Sequence, residues 1–482
     1  MSGAHPSKTV KGCKPMPYQS TVPSGLMELK PTQALTPRPR DTSGLVRAVG
    51  GHNTWKLDAP QSVTILRDQF ELARPGTTFD LTGQLFHIKG QQLVIHDNTV
   101  GIVGGVIVIE PTATARAGLL PRDRKNDLKF KNTVFILKGT ETAQMEALLY
   151  AYACEGKLIL EGCLFAGEPI YPGAWNSRVA GNYKVPEGRS RCVSVKASGT
   201  AGSGGLEAKC CTFIMADERS QPTGGAGISC VEVAGTLLNN QRTHYQATKT
   251  PVGVRTWAKG VYLKDCFIQG GYYGINLSAV DGFRVEGCVI TGNMRGVSMQ
   301  DSVTNGEVAG NQIIDFKSSG VHTAYGTSTV DVTGNHLYSA VAEGQGCLQA
   351  YCGTKDIAFL GNTVTLAVGT TAQAHVYIGN DAQSTEVRDN MLTGPYRVAN
   401  IAVDQSWAKV GDKQSTYGKR YAADEVLGVS VEMRGTELLG NKSCGRMTLA
   451  VTATNGPLSL MTDDMDADIG GVTRRAEGLT VV

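Results

Sequence analysis

What this chain lacks narrows the field first. No run of about 18 apolar residues is available to cross a bilayer, which excludes a membrane-spanning helix. The opening residues, MSGAHPSKTVKGCKPMPYQS, have no apolar core of the kind a secretory signal carries, so a soluble chain made in a cytoplasm is expected. Net charge is small, +3 over 482 residues, and nothing in that balance points to nucleic acid. Aromatic residues amount to only 6%, and long amphipathic helical patterns are few. Glycine, by contrast, occurs 59 times, well above the usual ~7%. With it come short runs of Val, Ile and Thr, a composition suited to many strands joined by tight turns.

A motif recurs along the chain: an apolar residue, a spacer, a second apolar residue, two small or polar residues, then Cys or Asn. Copies read KLILEGCLF, LEAKCCTF, VYLKDCFI, FRVEGCVI, GEVAGNQI, VDVTGNHL, IAFLGNTV, TEVRDNML and TELLGNKS. Their key positions are Cys163, Cys211, Cys266, Cys288, Asn311, Asn335, Asn362, Asn390 and Asn441, with looser copies at Asn98 and Asn132. From Cys266 to Asn390 the intervals are 22, 23, 24, 27 and 28 residues, the range of solenoid repeats. A solenoid grows in one direction and needs no division into separate cores, so one long domain is expected.

Four of the twelve cysteines, Cys163, Cys211, Cys266 and Cys288, share a position with Asn, which a disulfide could not tolerate as an equivalent. Stacked coils would hold them about 4.8 Å apart, whereas a bridge needs Cβ atoms near ~3.8 Å. They are read as reduced, buried and small. CLQAYC, with Cys347 and Cys352, lacks the second ligand pair of a zinc site, so no metal and no cofactor is expected. Cys13 stands apart from the repeats, as an incidental thiol or one able to link chains.

Residues 1–56 differ from the rest. They hold seven prolines from Pro6 to Pro39, and Lys8, Lys11, Lys14, Lys30, Arg38, Arg40, Arg47 and Lys56 against only Glu28 and Asp41. Such a segment buries too little apolar surface to fold alone. It is read as an extended basic arm, with Lys8, Lys11, Lys14, Arg38 and Arg40 anchoring it on an acidic partner surface; the alternative is that it folds back on its own domain. Residues 57–445 form the solenoid, opening with the strands SVTILRD, TTFDLTG, LFHIKG, LVIHDN and VIVIE. Long insertions interrupt it near 166–205, 216–259 and 392–436, where RCVSVKAS and SCVEVAG read as extra strands. Residues 446–482 lack the repeat and are expected to cap the end or support oligomerisation.

Leucine-rich repeats use a similar formula, but here Leu does not dominate and no helical stretch fills each repeat. A second strand precedes every motif instead: YGINLSAV, RGVSMQDS, SGVHTAYG, GCLQAYCG and AHVYIGND. Gly274, Gly296, Gly320 and Gly346 open these strands. The pattern from Gly274 to Gly394 resembles the right-handed parallel β-helix proteins of the pectate-lyase-like superfamily, an all-β fold. The resemblance implies that the Cys or Asn file is an interior turn ladder, with amides bonded to neighbours above and below. It is specific for fold, since the scaffold serves lyases, hydrolases, adhesins and virus spikes.

Strand alternation points Ile275, Leu277, Val297, Met299, Val321, Thr323, Val376 and Ile378 inward. Outward lie Asn276, Ser278, Ser298, Gln300, His322, His375 and Tyr377, a polar, nearly uncharged set with rings that suits a glycan; equally, it is what the solvated side of a sheet looks like. Sugar-chain hydrolysis needs two carboxyls, and Asp281, Asp301 and Asp381 follow the same strand in different coils. Turn aspartates also serve simply to close a coil. Asp217, Glu218 and Arg219 in MADERSQ form a second candidate cluster. The Asn-Thr-Asp, Gly-His-Gly and Arg-Ile-Lys signatures of polygalacturonases are absent, as are the Asp-His and Arg blocks of calcium-dependent pectate lyases. Together, a β-helix and a basic leading arm resemble bacteriophage tailspikes. That resemblance implies a virion location, other virion proteins as partners through the arm, a homotrimer, and host polysaccharide as a possible ligand. The alternatives are a polysaccharide depolymerase, lyase or glycosidase, and a capsid or tail cement protein with no ligand.

Overall fold

A computed structural model describes residues 63–112, 115, 117–137, 147–167, 191–198, 204–215, 229–239, 253–379, 382–404, 433–444 and 447–452. It also describes the short strands Arg47–Ala48, Thr54–Lys56, Leu458–Thr462, Met465–Ile469, Val472–Ala476 and Thr480–Val481. The strands wind into a right-handed parallel β-helix. Each coil gives one strand to each of three long sheets of 16, 12 and 14 strands. In one coil, Val280–Glu286 lies in the first sheet, Val289–Thr291 in the second and Arg295–Gln300 in the third. The next coil begins at Thr304–Ala309, hydrogen-bonded in parallel to Val280–Glu286. Both extra strands expected within the insertions are present, as Val193–Lys196 and Ser229–Ala234 of the third sheet.

The corner between the first and second sheets explains the motif. One residue adopts a left-handed conformation and the next turns its side chain into the core. Gly287, Gly310, Gly334, Gly361 and Gly440 take the first place with φ of 60–65°, where a missing Cβ removes the steric penalty. Asp265 and Asp389 hold the same place at φ 51° and 55°. Behind them stands the ladder. Asn335 Oδ1 accepts from Asn311 N and Nδ2, both at 2.9 Å, while Asn335 Nδ2 donates to Val308 O at 2.8 Å. The same set of bonds repeats at Asn362, Asn390 and Asn441. Cys163, Cys211, Cys266 and Cys288 continue the file as free, buried thiols, and burial raises the pKa of Cys163 and Cys266.

Two looser copies fall outside this file. Asn132 is itself the left-handed residue, at φ 53°. Because Val134 pairs with Leu164, it is the buried Thr133 that lies beside Cys163. Asn98 sits on the turn from the third sheet to the first, where its Nδ2 donates to Ala73 O at 2.9 Å.

Every residue expected to point inward from the third sheet is buried: Ile275, Leu277, Val297, Met299, Val321, Thr323, Val376 and Ile378. Phe135, Phe165 and Phe213 stack along the second sheet at 4.4 and 5.2 Å. SVTILRD is not a strand. Val63–Leu72 is a helix, since Leu66 and Phe70 are spaced i, i+4 on one face and both are buried. That helix lies against the terminal strands of the second and third sheets, Leu85–Lys89 and Gln92–Ile95. At the other end, Val472–Ala476 and Thr480–Val481 pair antiparallel with their neighbours.

Candidate functional site

The outer faces of the first and third sheets carry different chemistry. On the first, Lys264 and Arg284 pair with Glu286 at 3.2 and 3.1 Å, and Arg284 reaches Glu307 at 3.3 Å. Lys129 and Lys131 pair with Glu161 in the same manner, and Arg388 with Glu386 and Glu437. These groups keep roughly a quarter to half of their side-chain surface, a solvated lattice of both signs that neutralises itself.

On the third sheet, strand register aligns Tyr150, Ser194, Glu232, Asn276, Ser298, His322, Gln349 and Tyr377 in one outward file. Gln300 Nε2 donates to Ser298 Oγ at 2.9 Å and to Asn276 Oδ1 at 3.4 Å. Arg295 Nη1 donates to His322 Nδ1 at 3.3 Å, and Ser298 Oγ lies 3.1 Å from the same nitrogen. An arginine has no lone pair to offer, so Nδ1 is the acceptor. Nε2 therefore carries the proton and donates to Tyr351 OH at 2.8 Å. Burial and the nearby Arg295 charge both hold the His322 pKa well below its ordinary value, consistent with that neutral tautomer. Further along, Tyr377 OH donates to Asp404 Oδ2 at 3.0 Å. Tyr351 packs edge-on to His322 and Tyr377, with ring centres 5.1 and 6.5 Å away.

The structure thus gathers Asn276, Ser298, Gln300, His322 and Tyr377 on one face, with Ser278 in the neighbouring file. Exposure divides them. Asn276, Ser278 and Gln300 are half-buried, whereas Ser298 and His322 are 0% exposed and Tyr377 1%. His375 stands elsewhere. The strands of this sheet begin with a kink that turns the aligned Gly274, Gly296 and Gly320 toward the corner with the second sheet, where a Cβ on Gly320 would meet Leu337 Cδ2 at 2.5 Å. His375 occupies that corner two coils on. Its Nε2 donates to Thr393 O at 2.9 Å, and Asn400 Nδ2 donates to its Nδ1 at 3.3 Å.

The carboxylate candidates separate as well. Asp281 opens a strand of the first sheet and accepts from Asn305 Nδ2 at 2.8 Å. Asp301 occupies the turn from the third sheet to the first, at φ 59°, and Ser278 Oγ donates to its Oδ2 at 3.2 Å. The residue keeps some surface, yet desolvation of its carboxyl pushes the pKa up to about 6, with the serine bond opposing. The two carboxylates share no hydrogen-bond partner among the described residues. Asp381, the cluster at Asp217, Glu218 and Arg219, and the arm residues Lys8, Lys11, Lys14, Arg38 and Arg40 lie outside the described residues. Among the described residues, no group of three or more His, Cys, Asp or Glu is placed to hold a metal ion.

Tyr150 and Tyr152 were not anticipated. They project from strand Leu149–Tyr152 on the open part of this face, 5.8 Å apart, with the Arg122 guanidinium 5.8 Å from the Tyr152 ring centre. The alternation in LYAYACEG carried the signal. Gln349 was missed too, because GCLQAYCG was read only for its strand.

A right-handed parallel β-helix whose third sheet carries a hydrogen-bonded polar outer face is the class that this geometry defines. Residues 199–364 match the family model described as "Right handed beta helix region". No curated protein matches the sequence. Solved structures similar to it include the Dettilon tailspike protein gp208, at 11% identity and TM-score 0.40, covering 84% of this chain and 66% of that one. This chain therefore spans just under two thirds of that tailspike's length. The A-module of the Azotobacter vinelandii mannuronan C-5 epimerase AlgE4 is similar at 12% identity and TM-score 0.38, covering 82% and 91%. Alginate lyase AlyF-OU02 is similar at 9% identity and TM-score 0.40, covering 88% and 91%.

Proposed function

We propose that this chain is a bacteriophage virion component of the tail-appendage kind, held on the particle by residues 1–56, that presents the outer face of its third sheet to host surface polysaccharide. The observation that carries the binding part is the linked face Asn276–Gln300–Ser298–His322, flanked by Tyr150 and Tyr152. Amides and hydroxyls stand in register along a rod, with Asn276, Ser278 and Gln300 keeping surface and Ser298 and His322 buried beside them, and successive coils repeat about every 4.8 Å, close to the length of one sugar unit. Glycans are bound by such combinations of hydrogen-bonding groups and ring faces. The arm's basic, proline-rich composition supports attachment to other virion proteins, and a homotrimer is the assembly proposed.

Binding is tested with the full chain against a panel of bacterial capsular and lipopolysaccharide glycans. The expected result is saturable binding to at least one glycan, weakened tenfold or more in the Asn276→Ala/Gln300→Ala double variant. Attachment is tested by removing residues 1–56 and measuring incorporation into purified particles, which should be lost while glycan binding persists. One observation favours a second reading, a depolymerase: Asp301, desolvated in the turn beside Ser278 with its pKa pushed up to about 6, keeps a proton below that pH that a general acid could deliver. New reducing ends or unsaturated sugars released by the wild type and not by Asp301→Asn would establish it.

A further inference from the structure

The outer face of the second sheet is unlike the other two. In register along it stand Phe267, Val289, Gln312, His336, Thr363 and Met391, and the file beside them runs from Gln269 through Ile314 and Tyr338 to Thr393. All of these keep part of their surface. The inward alternates, such as Ile290, Ile313 and Leu337, already fill the core. None of the outward residues is Asp, Glu, Lys or Arg, and the same holds back through Leu164 to Val134. Among the described residues eight large apolar side chains are exposed, and five of them lie on this sheet or on the turns that follow its strands: Tyr338, Val341, Val368, Met391 and Val398. Charges stand at the border. Toward the third sheet, Lys317 pairs with Glu343 at 3.0 Å, Asp315 accepts from Ala340 N at 3.2 Å and Arg397 is exposed. Toward the first sheet are the turn residues Asp265 and Asp389, and the ends hold the Lys89–Glu110 pair and Lys442.

We infer that this face is where copies of the chain meet, their second sheets turned toward a common axis that runs along the rods. Nine strands, from Val134–Leu137 to Met391–Thr393, make a stripe about 40 Å long at the usual strand spacing. With the adjoining turns it is roughly 15 Å wide, a flat extent of about 600 Å². The side chains standing on it bring the accessible area to the order of the ~800 Å² that one partner gives a stable interface. A monomer rarely leaves so long an uncharged, largely apolar stripe in water. Charge selects the occupant. A face like that of the first sheet, laid on this stripe, would bury Lys, Arg and Glu against groups that cannot pair with them, which costs more than it returns. A second copy brings an identical uncharged stripe with the same coil spacing, and the border charges stay in water as a polar rim. Parallel rods about one axis set each residue at the level of its equivalents. The outer face of the third sheet belongs to another side of the rod, so Asn276 and Gln300 stay accessible in such an assembly.

This inference rests on the homo-oligomer proposed above, to which it assigns a surface, and the test separates the two. The full chain is followed by sedimentation velocity over a wide range of concentration, and the wild type is expected to be an oligomer. Ile314→Glu and His336→Glu each place one carboxylate per chain at a single level of the axis, where the copies repel and the buried charge has no partner. Each should raise the dissociation constant at least about a hundredfold, while far-ultraviolet circular dichroism shows the strand content unchanged. His336 is exposed, so its variant carries the test even where Ile314→Glu does not fold. Asp331→Lys, a larger change of charge on an exposed residue of the first sheet, should leave the oligomer intact. An oligomer undisturbed in the folded glutamate variants, or lost to the same degree in Asp331→Lys, would overturn this surface and leave a homo-oligomer standing. A monomer at every concentration overturns both.

Discussion

The first and third sheets are built from strands of similar length, wound by the same coils, yet they dress their exteriors in opposite ways. The first offers ion pairs to water and stays open. The third offers Asn, Ser, His, Gln and Tyr, and from Ser298 to Tyr377 that face is closed. The difference teaches where binding chemistry can sit on a uniform rod. A charged lattice already satisfies itself at little net energy, whereas a neutral face that is desolvated stakes several kcal/mol on each partner it keeps.

The contrast is most sharply broken at His322. His322→Ala removes the acceptor for Arg295 and Ser298 and the donor to Tyr351 within a buried face, so a loss of about 3 kcal/mol is expected, read as a lower midpoint in urea with unchanged slope. Tyr377→Phe, which removes the bond to Asp404, should lose about 1 kcal/mol. Acidity sharpens the comparison further. The depressed pKa of His322 means that its contribution is complete above the ordinary value of 6.5 and declines as pH falls below it, where the unfolded chain takes up a proton that the fold refuses. Asp301 runs the other way. With a folded pKa of about 6 against an ordinary 3.8, its contribution is present below pH 3.8 and is lost as pH rises through 6. Asp301→Asn should therefore match the wild type in stability near pH 4 and exceed it at pH 7.5; a variant less stable at pH 7.5 would contradict this. The smallest effect belongs to the first sheet. Arg284→Ala should change stability by about 0.5 kcal/mol or less, and 1 M salt should erase the difference.

The coil was legible because its corner demands a rare backbone conformation followed by a small buried group. Gly or Asp before Cys or Asn therefore marks every turn from Asp265 to Asn441. Counting alternate residues also gave the inward file correctly, since the pleat has a strict period of two. It failed at His375, where the strand starts with a kink that turns the side chain into a corner. Val63–Leu72 was misread because the three apolar residues of SVTILRD, Val63, Ile65 and Leu66, do not by themselves separate the two periods, and only the burial of Leu66 and Phe70 at one end of the stack decides for a helix. Asn132 was misplaced by one residue, as Asn is at home both in the left-handed position and in the ladder. The closure over His322 and Gln349 could not be read from alternation at all, which says which way a side chain points and not what comes to rest on it.

The short helix at the entrance has a consequence for how these molecules behave in a crowd. Strand Thr54–Lys56 extends the first sheet past that point, while the helix blocks the unpaired backbone of the other two. At those two edges a further coil could be added only by displacing Val63–Leu72, whose Leu66 and Phe70 are buried against the stack.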